Sequence, residues 1–298
     1  MLSVRKARGL PPLTIMSCDN LPTNGATTKK AVLAFASAVS SELAAYITSS
    51  VPFPNSMVDR ITPVTTPQNI SEIESRHGIK DAWPVICEPF LQWVIEDNFV
   101  NGCRPDWSSL PGVEFTKDVE HYENMKLSLL NSTHSSMSYL SILAGFDLVH
   151  EAVQDPGIEA FLRSYMSEIT PTLTAVPGVD FEEYASTLIT RFSNPEIADN
   201  LNRLALDGSQ KFRSALGPAL TSLKSSGGAV DAVCLALAGF LRYNSGVADD
   251  GSEVETVPDP MKKEMKEVAL RMRGEVSEGV CAEALAMVFG DELVRGWD

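Results

Sequence analysis

The sequence predicts a mainly helical fold with a minor α/β part. Three observations support this prediction. Apolar residues recur at helical spacing from Asp118 onward, residues 51 to about 115 are rich in proline and hold only short β-branched or aromatic runs, and one strand-like run precedes a helical run near the start. A length of 298 residues allows two domains. We therefore expect a first domain over residues 1–115 and a helical second domain over residues 116–298.

The composition is that of a globular chain and excludes several classes of function. Lys and Arg number 24 against 39 Asp and Glu, for a net charge of −15, which argues against a nucleic-acid binder that relies on bulk charge. No apolar stretch approaches the ~20 residues that cross a bilayer, and no signal segment is recognisable, so we expect a cytoplasmic protein without a membrane partner. The five cysteines lack C-x-x-C spacing, which predicts neither a disulfide framework nor structural zinc.

The first domain is predicted to open with a strand, a loop and a helix. Leu13-Thr-Ile-Met-Ser-Cys18 is rich in β-forming residues and runs into the turn-forming segment Asp19–Gly25. Helical spacing follows from Thr27 to about Ile47, with threonines that could cap the first turn. Such a unit is a fragment of an α/β sheet, because a lone strand cannot pair its own backbone groups. Further short strands are expected at Val85-Ile86 and Gln92-Trp-Val-Ile95.

The second domain is predicted to be a bundle of helices. The helical runs lie near residues 118–145, 157–169, 180–191, 195–206, 209–222, 228–243, 259–272 and 277–295.

The densest group of chemically useful side chains lies in residues 123–135. At about 100° per residue, Glu123, Lys126 and His134 share one broad face of a helix, with Asn131 at its edge. Apolar residues lie on nearly every side, which indicates a buried helix, and burial lowers the pKa of a lysine toward the range where its amine works as a base. The alternative, which spacing alone favours, is an ordinary Glu–Lys pair on a solvated face.

Two more candidate sites lie near predicted strands. Asn20 follows the carboxyl end of the first strand, the edge at which open α/β sheets bind ligands, although an asparagine there can equally cap a turn. Asp59 and Arg60 place an acid and a base inside the apolar run Phe53–Pro63, where the alternative is a local ion pair at a strand end.

Several ordered motifs resemble those of the mannitol dehydrogenase family, the long-chain polyol and hexuronate dehydrogenases. The matching segments are Ser17-Cys-Asp-Asn-Leu-Pro-Thr-Asn-Gly25, Ser56-Met-Val-Asp-Arg-Ile-Thr-Pro63 within 51–63, Glu88–Asn98, Lys126–Ser135, Arg191–Pro195 and Arg203–Lys211. The resemblance covers roughly residues 13–245. It implies the remnant of a Rossmann-type sheet followed by a large multi-helical C-terminal domain.

The resemblance also implies a chemistry and the residues that carry it. The activity would be hydride transfer between a CH–OH group of a polyol or sugar acid and NAD or NADP, with no metal. Lys126 would be the general base, Asn20 and Asn131 would donate hydrogen bonds to the developing alkoxide, and Glu123 would relay the proton. The residues implied to hold the polyol, ketose or hexuronate are His134, Arg203 and Lys211; those implied to lie near the nicotinamide are Asp59, Val58 and Asn20.

One departure from the family pattern changes the expectation. No G-x-G-x-x-G fingerprint occurs in the 298 residues, and only twelve residues precede Leu13. A nucleotide-binding half needs on the order of 100 residues before its last strand. We therefore expect a family member that lacks most of its N-terminal Rossmann domain. The alternative is a truncated, non-catalytic helical domain that binds a sugar or a partner protein. Neither the substrate nor the oligomeric state follows from the sequence.

Overall fold

The computed structural model describes residues 1–248, 251–274 and 277–294, so residue 295 of the last predicted helical run lies outside it. Two compact units divide the chain. The first unit comprises Met1–Thr62 and Ile73–Asn124, and the second comprises Pro63–Glu72 and Met125–Asp298.

Helices predominate in the described residues, which confirms the mainly helical prediction. Helices α1 to α7 are Leu2–Ala7, Asn24–Val39, Ser41–Ser50, Pro67–His77, Val119–Met125, Ser132–Leu143 and Val149–Val153. Helices α8 to α16 are Pro156–Ile169, Phe181–Phe192, Leu201–Ala205, Gly208–Lys211, Gly217–Ser226, Asp231–Asn244, Lys262–Gly274, Glu278–Phe289 and Asp291–Val294. Two π-helical segments, Lys126–Asn131 and Phe212–Leu216, separate α5 from α6 and α11 from α12.

The first unit contains a small mixed sheet of three strands. Strand β1 (Ser56–Asp59) pairs antiparallel with β2 (Gln92–Glu96), and β2 pairs parallel with β3 (Val113–Thr116). The predicted strand at 92–95 is therefore present, whereas Val85-Ile86 is not a strand. Val85 is exposed and follows Pro84, which has no backbone N–H to donate to a ladder.

The predicted strand over Leu13–Cys18 is wrong. The segment has no strand assignment, although Ile15 N donates to the Pro52 carbonyl over 3.0 Å. The facing segment, Val51–Pro54, contains two prolines and so cannot supply the run of N–H donors that a ladder requires.

The helix predicted over 27–47 is two helices, and its start is earlier than expected. Helix α2 begins at Asn24, so Thr27 and Thr28 lie inside it and the prediction that they cap its start is wrong. At Ser40 the backbone is extended, and the Ser40 side chain accepts a hydrogen bond from Leu43 N to cap α3.

Helix α4 was not expected among the prolines of residues 51–115. Its start has a reciprocal cap, in which Thr66 Oγ1 accepts from Asn69 N over 3.2 Å and Asn69 Oδ1 accepts from Thr66 N over 2.9 Å. Pro67 is its first residue, where the missing N–H costs nothing.

The core of the second unit is built around α6. Tyr139 lies at its centre and is fully buried, with its ring centroid 4.9 Å from that of Phe240 and 5.2 Å from that of Tyr243. The Tyr139 hydroxyl donates to the Ala205 carbonyl over 2.9 Å. A Cβ at Gly208 would lie 1.9 Å from the same hydroxyl, so only glycine fits there. Tyr139 thus ties α6 to the segment between α10 and α11.

Helix α13 depends on a carboxylate from another helix for its N-terminal cap. Val230 precedes it and offers no side-chain acceptor, but Glu168 of α8 accepts from Ala232 N and Val233 N over 2.9 and 3.0 Å. These bonds satisfy two donors that the helix itself cannot pair.

Glu168→Ala should therefore lower the free energy of unfolding by about 1–2 kcal/mol, the range of a lost cap. Urea unfolding followed by circular dichroism measures the effect. Ser167→Ala, an exposed change on the same helix, is the control and should stay within about 0.5 kcal/mol of the parent. Equal stability of the Glu168→Ala variant and the parent would show that the cap contributes nothing.

None of the helices in the described ranges has both the length and the apolar character needed to cross a membrane.

Candidate active site

In the second unit, the predicted base Lys126 opens a π-helical segment that ends at Asn131. Lys126 is buried, with 6% of its surface exposed, and Asn131 is half-buried. A π turn holds more residues than an α turn, so the uniform angle of about 100° per residue used for 118–145 does not apply across this segment. π-Helical turns are rare, and those inside α-helices are frequently found at functional sites.

Four cationic side chains lie within electrostatic reach of His134, a buried residue of α6. Burial is the main cause that lowers the pKa of His134 to about 3, and the positive charges of Arg203, Arg191, Lys211 and Lys126 contribute to the same shift. Its Nε2 atom is buried and makes no hydrogen bond to any of the residues that the structure describes. The structure therefore places Lys126, His134, Arg203 and Lys211 together, with a neutral imidazole that can still bond to a ligand.

Two of these cations are held by contacts of their own. The Arg203 guanidinium forms a two-pronged pair with the carboxylate of Asp199, with Nε donating to Oδ1 over 2.8 Å. Lys211 Nζ donates to the Leu204 carbonyl over 2.9 Å. Burial lowers the pKa of Lys211, the nearby Asp207 carboxylate opposes that shift, and Arg203 adds to it.

Three further residues of this cluster have no role in the sequence-based prediction. Asp199 is the buried partner of Arg203. Arg191 is buried in the last turn of α9. It belongs to the motif Arg191–Pro195, which contributes to the family resemblance but implies no role for this residue. The Phe192 ring packs on the His134 imidazole with 4.1 Å between ring centroids. The sequence signal that could have identified Arg191 and Phe192 is an arginine followed by an aromatic residue at the end of an amphipathic helix.

The neutral state of His134 has a consequence for stability. An unfolded chain binds a proton at this histidine near its ordinary pKa of about 6.5, but the folded protein does not until about pH 3. Folding is therefore disfavoured as the pH falls below about 6.5, because the unfolded state then binds more protons.

Between pH 7 and pH 5 the parent protein should lose about 2 kcal/mol of unfolding free energy relative to His134→Gln, which cannot take up that proton. Urea titrations at both pH values provide the comparison. His77→Gln removes an exposed histidine and is the control, with no such difference expected. Parallel pH profiles for His134→Gln and the parent would contradict a neutral, buried imidazole.

In the first unit, the predicted cofactor residues lie at two places. Asn20 is exposed and follows Asp19 in the loop before α2. Val58 and Asp59 are the last residues of β1, where they pair with Trp93 and Gln92, and Asp59 is buried. Arg60 Nε donates to the Glu88 carbonyl over 2.8 Å.

Glu123, the predicted proton relay, is buried in α5 and makes a bond that the sequence did not suggest. Its two carboxylate oxygens accept from the backbone N–H of Thr23 over 3.2 and 3.1 Å. Thr23 has a φ of 48°, an uncommon value for a residue other than glycine. Glu123 thus holds Thr23, the strained cap residue directly before α2.

A separate cleft of about 390 Å³ in the first unit contains none of the predicted site residues. Its lining residues are Pro12, Leu13, Thr14, Met16, Phe99, Val100, Asn101, Cys103 and Pro105. Within the described parts of the chain, no group of three or more His, Cys, Asp or Glu side chains is arranged to hold a metal ion.

The chain belongs to the mannitol dehydrogenase family. The family's C-terminal domain model matches residues 118–294, and its Rossmann domain model matches residues 1–109. A mannitol dehydrogenase of Saccharomyces cerevisiae is 46% identical over 91% of this chain, and the D-mannonate oxidoreductase of Escherichia coli is 40% identical over all of it. A solved ternary complex of Pseudomonas fluorescens mannitol 2-dehydrogenase with NAD and D-mannitol covers 99% of the chain at 43% identity, with a TM-score of 0.77.

The match to the Rossmann domain model corrects one expectation. Because that model matches residues 1–109, the prediction that most of this domain is missing is not supported. The chain spans 54%, 60% and 58% of the lengths of the three proteins just named.

Proposed function

We propose that this chain carries the substrate site and the nicotinamide end of the cofactor site of an NAD(P)-dependent polyol or hexuronate dehydrogenase. The observation that carries the proposal is a group of three cationic side chains, buried Lys126 and half-buried Arg203 and Lys211, within electrostatic reach of the buried, neutral His134. Family membership supports it, since relatives include proteins named for mannitol and mannonate.

In the proposed reaction, the neutral amine of Lys126 accepts the proton of the substrate hydroxyl as the C–H bond breaks. Asn131 and Asn20 donate hydrogen bonds to the oxygen as its negative charge grows, which is worth roughly 3–4 kcal/mol per donor in comparable sites. Glu123 is proposed to pass the proton on from the lysine. The charge on the alkoxide oxygen is thus stabilised by hydrogen bonds, without a metal.

The rest of the second-unit cluster is proposed to hold the open-chain substrate. A neutral imidazole can donate a hydrogen bond to a hydroxyl or accept one from it, and His134 Nε2 has no partner among the described parts of the chain. Arg203 and Lys211 can donate either to hydroxyls or to a carboxylate. The site is therefore compatible with both a sugar alcohol and a sugar acid.

The fit to a nicotinamide cofactor is partial. Asp59 is buried at the carboxyl end of β1, the kind of edge at which open sheets bind ligands, and it is proposed with Val58 and Asn20 to lie near the nicotinamide. No glycine-rich fingerprint for the pyrophosphate occurs in the sequence, so no contact to that part is assigned. When bound, NAD or NADP would accept the hydride.

The proposal is tested with an extended enzyme, defined here as this chain joined at its N-terminus to the N-terminal segment of the Pseudomonas fluorescens relative. NADH or NADPH formation with D-mannitol, D-sorbitol and D-mannonate is measured by absorbance, beside the unextended chain. Turnover of one of these substrates is expected in the extended enzyme. Binding of the polyol and the cofactor without turnover would instead favour a non-catalytic sugar-binding domain.

A further inference from the structure

The side chain of Asn24 joins two segments of the first unit that carry proposed site residues. It is 1% exposed, at the start of α2. Its Nδ2 group donates to the carbonyls of Ser17, Asp19 and Ser56 over 3.2, 3.0 and 2.9 Å, and its Oδ1 accepts from Ser56 N over 2.8 Å. One amide thus links the loop before Asn20 to the first residue of β1.

Neighbouring contacts strengthen this link. Ser56 Oγ donates to the Ser17 carbonyl over 2.8 Å, which closes a ring of hydrogen bonds between the loop and the strand. The next residue, Gly25, lies so close to the segment before β1 that a Cβ on it would be 2.4 Å from the Pro54 carbonyl oxygen. The backbone at residues 24 and 25 is therefore packed directly against the residues that precede β1.

We infer that Asn24 is a positioning residue that fixes the backbone before Asn20 against the start of β1 and so places the Asn20 side chain. The inference rests on the proposed function, in which Asn20 stabilises the alkoxide. It follows from the geometry that Asn24 holds the carbonyl of Asp19, the residue directly before Asn20. Asn24 itself need not touch the substrate.

The hydrogen bonds of the Asn24 side chain can be tested by a substitution that keeps its shape. Asn24→Asp keeps the shape but replaces the donor group by an oxygen, which would face the three carbonyls and release the loop. Ser56→Ala is a milder variant that removes the bond of Ser56 Oγ to the Ser17 carbonyl and the bond that Ser56 Oγ accepts from Asn24 Nδ2 over 3.2 Å, and it keeps the strand backbone. Asn55→Ala is the matched control. Asn55 Oδ1 accepts a hydrogen bond from Ala26 N, so it links α2 to the residue before β1 but has no bond to residues 17–19.

The experiment combines a double-mutant cycle with hydrogen exchange. In the extended enzyme, Asn24→Asp should lower kcat for D-mannitol by about 100-fold and Ser56→Ala by about 5-fold, as expected for a misplaced catalytic group, whereas Asn55→Ala should stay within about 2-fold. Adding Asn20→Ala to Asn24→Asp should lower kcat by less than about 3-fold more, because a displaced Asn20 has already lost its function. In the unextended chain, Asn24→Asp should speed amide exchange at residues 17–20.

Other results would overturn the inference. Independent, multiplicative losses of kcat for Asn24→Asp and Asn20→Ala would show that Asn24 does not act through Asn20. Unchanged exchange at residues 17–20 with either variant would show that the amide does not hold the loop. If Asn24→Asp fails to fold, the double-mutant cycle is measured with Ser56→Ala and Asn20→Ala instead. A normal kcat for Asn20→Ala alone would instead contradict the proposed role of Asn20, a result distinct from the other two.

Discussion

Lys126→Ala should lower kcat for polyol oxidation in the extended enzyme by about three to four powers of ten, the range expected when a general base is removed. Lys126 is buried at the start of a π-helical segment, so no water-exposed lysine can replace it. The KM for the polyol should change far less, because the proposed binding residues stay in place. Steady-state kinetics with D-mannitol measure both constants.

Two comparisons make the Lys126 result specific. Lys224→Ala removes a lysine of α12 that donates to the Leu293 carbonyl over 3.3 Å, and it should leave kcat nearly unchanged. A small primary amine such as methylamine, added to Lys126→Ala, should restore part of the activity because it supplies the missing base. Near-normal turnover by a folded Lys126→Ala enzyme would refute the proposed mechanism.

The same assignment sets the direction of the pH dependence. The amine accepts a proton only when it is neutral, so polyol oxidation should rise with pH through the pKa of the base, and carbonyl reduction should fall over the same range. In Lys126→Ala, neither the rise of polyol oxidation nor the fall of carbonyl reduction with pH should be observed.

Asn131→Ala should lower kcat by about 100- to 1000-fold, the loss measured when one donor to a developing oxyanion is removed. The effect should be larger on kcat than on KM, because the hydrogen bond strengthens as charge forms on the oxygen. The measurement is again steady-state kinetics in the extended enzyme. Asn131 ends the π-helical segment that Lys126 begins, so both groups are placed by the same irregular turn.

Asn202→Ala is the control for this prediction, since Asn202 lies on α10 outside the proposed set and should change kcat little. A folded Asn131→Ala enzyme with normal turnover would remove Asn131 from the alkoxide site. A raised KM with an unchanged kcat would instead assign it to substrate binding.

The sequence by itself determined the helical character of most of the chain and the family. Helices α8 and α9 are examples, because local signals specify them: Asp155 caps the first through bonds to Gly157 N and Ile158 N, and Asp180 caps the second. Apolar spacing and caps act within a few residues, so they can be read without knowing the fold. The ordered motifs pointed to the family in the same way.

Only the tertiary structure decided how several of the predicted residues are supported. Asn24 reaches Ser56, 32 positions away, and Glu123 accepts from Thr23, 100 positions away, so no local pattern could reveal either contact. Leu13–Cys18 has the composition of a strand but faces two prolines, and the π turn at Lys126 shifts the angles that a regular helix predicts. A strand requires a partner that can donate, and a buried polar group requires a distant acceptor. Both requirements are met by residues that are distant in the sequence and become neighbours only in the folded chain. The spacing of residues along the chain therefore does not predict them.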